Sequence, residues 1–187
     1  MAQTESNMLS LQTKAPHFSL PNVVSGELNS LDQVRGKEGT LIVFMCNHCP
    51  YVVHLIDALV AFVKSIEPKG IKTVAISSNS VETYPQDGPE DMKVFAKERG
   101  FTFPYLYDAT QEVAKQYEAA CTPDLYLFDA HGALFYRGRF DGSRPGNDIP
   151  LTGEDLKAAA NALLAGNQAP EKQYPSLGCN IKWHPEH

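Results

Sequence analysis

The chain has 187 residues, 43% of them hydrophobic, and a formal net charge of −6. That length suits one domain with one sizeable core, and an acidic balance with scattered Lys and Arg leaves no basic field for nucleic acid or an anionic membrane surface. No apolar run approaches the ~18 residues of a membrane span, and the polar start, residues 1–14, lacks the hydrophobic core of a signal peptide, so a cytoplasmic protein without nucleic-acid or membrane partners is expected.

The first strong element is the apolar run 41–45, whose continuous hydrophobicity predicts a strand buried on both faces. Residues 50–65 follow as a helix, with Pro50 in the first turn and Val53, Ile56, Leu59, Val60 and Val63 at spacings of three and four. A second strand is expected at 72–77, then a surface loop at 84–89 with turn residues and no nameable chemistry. Helices are predicted at 90–99, stopped by Gly100, and at 111–119. Strands at 124–128 and 133–136 are joined by the turn Asp129-Ala130-His131-Gly132. The charged, glycine-broken stretch 137–145 reads as a solvated loop whose arginines could pair with Asp141. A last helix is predicted from Thr152, with Asp155 as a weak capping-box partner and Leu156, Leu163 and Leu164 facing inward, to Gly166. Strands and helices alternating in this way imply an α/β sheet with helices on both faces.

Between the first strand and its helix stands Cys46-Asn47-His48-Cys49-Pro50. Two thiols three apart at such a junction can cycle between dithiol and disulfide. Pro50 disfavours helical geometry at the residue before it and fits the first helical position, so Cys49 should be the N-cap. There the unpaired backbone N–H groups and the positive end of the helix dipole favour a thiolate. Cys49 is then the attacking thiol and Cys46 the resolving one, although in ordinary CxxC sites the first cysteine is the exposed one and the reverse order stays open. His48, inside the motif, would stabilise a thiolate if cationic. His54, about one turn on, could tune Cys49 or be an ordinary solvated or core histidine.

Four cysteines are too few for a disulfide scaffold, which leaves redox chemistry and zinc as the readings of the pair. Zinc needs two further ligands; His17, His48, His54, Cys121 and Cys179 are available, but none forms a second spaced pair. Haem attachment needs a histidine where Pro50 stands. Cys179 lies in a Pro/Gly-bearing tail with Ile181 and Trp183, apolar enough to dock on the domain. Docking would bring it to Cys49 as an additional resolving thiol or bury it as packing.

Four landmarks carry a resemblance: Ala15-Pro16-His17-Phe18-Ser19-Leu20, the strand and CxxC at 41–50, Thr122-Pro123 before a strand, and Phe128-Asp129 with Gly132. On these the chain resembles the thioredoxin-like superfamily, in its peroxiredoxin-like branch related to the alkyl hydroperoxide reductase/thiol-specific antioxidant group. The resemblance implies a thioredoxin-like α/β fold, a central mixed sheet flanked by helices with a peroxiredoxin-like N-terminal extension. It also implies a polar segment at 1–13, the domain at 14–166 and a tail at 167–187. Thr122 and Pro123 would form a substrate-binding cis-proline loop, with Cys121 near the site or a buried filler. Counted from Phe44, Cys49 falls on the peroxidatic cysteine, while Cys46 replaces the peroxidases' threonine and Pro123 their arginine.

The expected activity is therefore a thiol-disulfide oxidoreductase without bound cofactor or metal. It would act on protein or small-molecule disulfides, or on peroxides, with an external thiol reductant and a homodimer as a possible assembly. The alternatives are a weak thiol peroxidase and a non-enzymatic redox sensor or zinc-binding interaction module.

Overall fold

The computed structural model describes residues 2–186. The chain opens with β1 (Gln3–Glu5) and the hairpin of β2 (Ser19–Pro21) and β3 (Leu28–Ser30), and Ser30 caps the single-turn helix α1 (Leu31–Val34) through a reciprocal pair with Gln33. Next come β4 (Gly39–Phe44), buried at every residue, and α2 (Pro50–Ile66). Strand β5 (Ile71–Ser77), helix α3 (Pro89–Glu98), strand β6 (Tyr105–Tyr107) and the short α4 (Glu112–Gln116) follow. The last part holds β7 (Cys121–Thr122), β8 (Asp124–Asp129), β9 (Leu134–Gly138), α5 (Glu154–Leu164) and β10 (Leu177–Asn180).

The main sheet has the order β6-β5-β4-β8-β9, with β4 parallel to β5 and antiparallel to β8. It is thus a mixed sheet, and β4 is central because its sequence can be buried on both faces. Successive side chains of β4 point to opposite sides. Leu41 and Val43 join Ile56, Leu59, Leu127 and Leu156 on one face, whereas Ile42 and Phe44 join Val74, Tyr117 and Tyr126 on the other. The second face is closed by α1, α4 and the N-terminal Phe18 and Leu20, and the Tyr117 hydroxyl ties this layer to the Pro16 carbonyl at 2.7 Å. Helices on both faces of a mixed sheet are what the strand and helix order implies. A separate three-stranded sheet, β1-β10-β7, joins the two ends of the chain, with β10 antiparallel to both neighbours.

Several local expectations change. Of the residues expected on the inner face of α2, Ile56, Leu59, Val60 and Val63 are buried but Val53 is 41% exposed, and Val52, Leu55, Phe62 and Ile66 complete the buried stripe. The expected helix 111–119 is shorter because Gln111 and Glu118 are both left-handed, with φ of 65° and 52°. Thr152 does not cap α5: the Asp141 carboxylate accepts the N–H groups of Thr152 and Gly153, each at 2.7 Å, while Asp155 pairs with Arg139 at 2.6 Å. Leu156 is buried, and Leu163 and Leu164 are half-buried. Nor is 137–145 a solvated loop, since Phe140, Asp141 and Ser143 are buried and Asp141 is the acceptor that organises it. The stop at Gly100 stands, with φ of 68° and the Phe101 N–H returning to the Ala96 carbonyl.

Candidate active site

Cys49 is the N-cap of α2, extended at φ −63° and ψ 124°, with Pro50 in the first turn as its fixed φ requires. Its sulfur lies 2.7 Å from that of Cys179 and 3.3 Å from the Thr122 carbonyl oxygen. Cys46, on the loop leaving β4, has its sulfur 3.6 Å from the Thr122 hydroxyl. All four cysteines are free and buried. Cys49 is therefore the middle member of three thiols.

The proton distribution is uneven. The Cys46 S–H hydrogen bond, opposed by burial and helped by Cys179, the Val52 amide and Thr122, lowers Cys49 from 9.0 to about 5. The Val52 N–H is mainly engaged by the Cys49 carbonyl at 3.0 Å, so its share at the sulfur is small. Cys46 moves the other way, well above 9.0, because its proton is held by Cys49 and because burial and the Asp87 charge disfavour a second anion. Burial, then the bond to Cys49, pushes Cys179 up to about 12. These shifts favour the charge on Cys49 and the protons on Cys46 and Cys179.

A second set of groups fixes the loop between the cysteines. Buried Asp87 accepts the Asn47 N–H at 3.0 Å and the Asn79 amide at 2.9 Å. His48 Nδ1 is 2.7 Å from the same carboxylate, within ion-pair reach though off the line of a good hydrogen bond, and its ring stacks on Tyr84 at 5.0 Å. Tyr105 donates to the Asn47 side chain at 2.9 Å. Ligand atoms of Cys46, His48 and Asp87 lie within 4.8 Å of one another, a convergence of metal-ligating types that includes Asp87, which sequence reasoning missed. Residues 84–89 give it no local signal: one Asp in a proline-flanked turn looks like any surface turn.

Thr122-Pro123 is a cis peptide, as the resemblance implies, and Thr122 pairs in antiparallel register with Cys179. Cys121 faces elsewhere, toward the Pro123 and Ser176 carbonyls at 3.7 and 4.0 Å, and burial raises its pKa far above the ordinary range. Next along β8, Asp124 is fully buried with one carboxyl oxygen unpartnered, and burial pushes it up to about 8 against the pull of the Ala120 N–H. His54 does not reach Cys49; its Nε2 is 2.8 Å from the Ser143 hydroxyl, in a small cleft also lined by Tyr51, Pro123, Arg139 and Arg144. In the tail Ile181 is buried, whereas Trp183 stays 41% exposed with the Lys115 ammonium 6.0 Å from its ring. No helix among the described residues is long and apolar enough to cross a membrane.

Residues 11–137 match the model of the AhpC/TSA family. A solved uncharacterised conserved protein from Geobacillus kaustophilus is 53% identical over 100% of this chain and 99% of its own, with a TM-score of 0.98. A hypothetical protein from Sinorhizobium meliloti 1021 is 43% identical over 98% and 100%, with a TM-score of 0.95. At 19% identity, a Chlorobium tepidum protein provisionally called a thiol:disulfide interchange protein DsbE covers 83% of this chain and 99% of its own with a TM-score of 0.67, a likeness of fold. No curated protein matches the chain.

Proposed function

The chain belongs to the AhpC/TSA family, and from that membership together with the thiol geometry we propose that it is a thiol-disulfide oxidoreductase working through a Cys46/Cys49 couple. The observation that carries the reading is the placing of Cys49 at the N-cap of α2, with its sulfur at the Thr122 carbonyl while that of Cys46 lies at the Thr122 hydroxyl; the surroundings lower the Cys49 pKa and so favour its thiolate. The Cys49 thiolate attacks one sulfur of a substrate disulfide, forming a mixed disulfide and releasing the other half as a thiolate. Once Cys49 is bonded it carries no charge, so the main hold on the Cys46 proton is gone. Cys46 then attacks the Cys49 sulfur, its proton goes to the departing substrate thiolate, and the Cys46-Cys49 disulfide remains. Thr122, with its hydroxyl at Cys46 and its carbonyl at Cys49, and Pro123 beside it border the substrate. A thioredoxin- or glutathione-type reductant in the cytoplasm would close the cycle, and no bound cofactor is needed.

Disulfide mapping of the Cys179→Ser variant after exposure to oxidised glutathione tests the couple. A Cys46-Cys49 bond is expected, and a lasting glutathione adduct on Cys49 would remove Cys46 from its role. The low pKa of Cys49 also favours slow thiol peroxidation, in which peroxide oxidises the thiolate to sulfenic acid; with Cys46 and Pro123 in place of the peroxidases' threonine and arginine, that activity is secondary. The convergence of Cys46, His48 and Asp87 favours a metal-binding reading. Against it, the Asp87 oxygens already serve Asn47 and Asn79, and three donors fall short of the four of a structural zinc site. Metal analysis of protein purified without chelator would decide between them: stoichiometric zinc lost on Cys46→Ser would favour the metal.

A further inference from the structure

Strand β10 occupies the backbone edge beside the reactive thiols. It pairs antiparallel with β7, Cys179 opposite Thr122 and Asn180 opposite Cys121, and with β1 on its other side. An added strand of this kind is how a sheet edge takes up an extended peptide. Gly178 makes the approach possible: a Cβ there would sit 2.0 Å from the Thr122 carbonyl oxygen, so no larger residue fits without moving the strand. Beyond it the chain is fastened. Ile181 is buried and its N–H reaches the Ala120 carbonyl at 3.1 Å, Lys182 N–H reaches Asn79 at 2.9 Å, and its carbonyl accepts from Ser80 N–H at 2.7 Å and the Gln111 amide at 2.9 Å. This fastening sets the Cys179 sulfur 2.7 Å from Cys49.

We propose that β10 is a built-in substrate strand and that Cys179 is a second resolving thiol, so that one disulfide moves among Cys46, Cys49 and Cys179. The inference rests on the reading of Cys49 as the attacking thiol. Starting from the Cys46-Cys49 disulfide, the Cys179 sulfur attacks Cys49. The Cys46-Cys49 bond breaks, the Cys49-Cys179 bond forms, and the Cys179 proton ends on Cys46. The number of disulfides is unchanged and no outside oxidant or reductant takes part. Cys179 can equally displace the substrate from a mixed disulfide on Cys49, sending its proton to the leaving thiolate. Being intramolecular, it competes at an effective concentration far above that of a free thiol.

The test is the full-length Cys46→Ser variant exposed to oxidised glutathione and mapped by mass spectrometry. A Cys49-Cys179 disulfide with little glutathione on Cys49 is expected. In Cys46→Ser/Gly178→Val, where the strand must lift, the Cys49 adduct should rise about tenfold or more, as loss of the intramolecular competitor requires. A stable adduct on Cys49 with Cys179 free in Cys46→Ser itself would overturn the inference and leave Cys49 as the attacking thiol. Cys49 left unmodified would overturn both. A circular-dichroism spectrum equal to that of the wild type establishes that each variant is folded.

Discussion

Two buried acids flank the cis Thr122-Pro123 turn with opposite proton linkages, and separating them is a quantitative check on the site. Cys49 is lowered from 9.0 to about 5, so the reduced folded state binds fewer protons there than the unfolded chain between those values. Its contribution is fully present above 9.0 and is lost as pH falls through 5. Asp124 is raised from 3.8 to about 8, so its contribution is fully present below 3.8 and is lost as pH rises through 8. Inside the shared window each group changes stability by about 1.4 kcal/mol per pH unit, with opposite signs, so the two cancel. Asp124→Asn removes the falling term, and urea unfolding under reductant should show the variant gaining about 3 kcal/mol over the wild type from about pH 5.5 to about pH 7.5. Cys49→Ser removes the rising term and should lose a similar amount. Differences from the wild type cancel the groups common to both proteins. Parallel pH profiles for wild type and Asp124→Asn would refute the assignment of a buried, protonated Asp124.

Other outcomes follow from the same contacts. With Cys49 ionised and Cys46 protonated, reduction takes up two electrons and one proton, so the potential of the couple should fall by about 30 mV per pH unit near neutrality; about 60 mV would mean that Cys49 is protonated. Cys46→Ser weakens the largest influence on Cys49, and the ultraviolet absorbance of the thiolate should titrate at higher pH than in the wild type. Asp87→Ala leaves the Asn47 N–H and the Asn79 amide without their acceptor and should cost roughly 2–4 kcal/mol in urea unfolding. Loss of Cys49 to hydrogen peroxide should run no faster than that of a free thiol of equal pKa; much faster loss would move the peroxidase reading to first place.

The legible parts of the sequence were those where local pattern and tertiary role coincide. The run at 41–45 is continuous because β4 is covered on both faces, and Pro50 marks Cys49 as N-cap because its ring fits only the start of a helix. What stayed hidden depends on distant pairing. Strands β1, β7 and β10 have two to four residues each and exist only because the two chain ends meet at Thr122, so no periodicity announces them. Asp87 was obscured for a related reason: Asn47 and His48 come from the loop after β4, and Asn79 from the far end of its own connection. Likewise Asp141 reads as a loop charge until the backbone of 152–153 folds onto it.

The central claim, that every oxidised form of the protein is built on Cys49, is tested most directly by redox titration of the wild type beside Cys49→Ser, with disulfides mapped at each step. The wild type should show one reversible two-electron transition whose disulfide always contains Cys49, and Cys49→Ser should show none. A wild type whose thiols stay free across the titration, or a transition that survives in Cys49→Ser, would contradict the account.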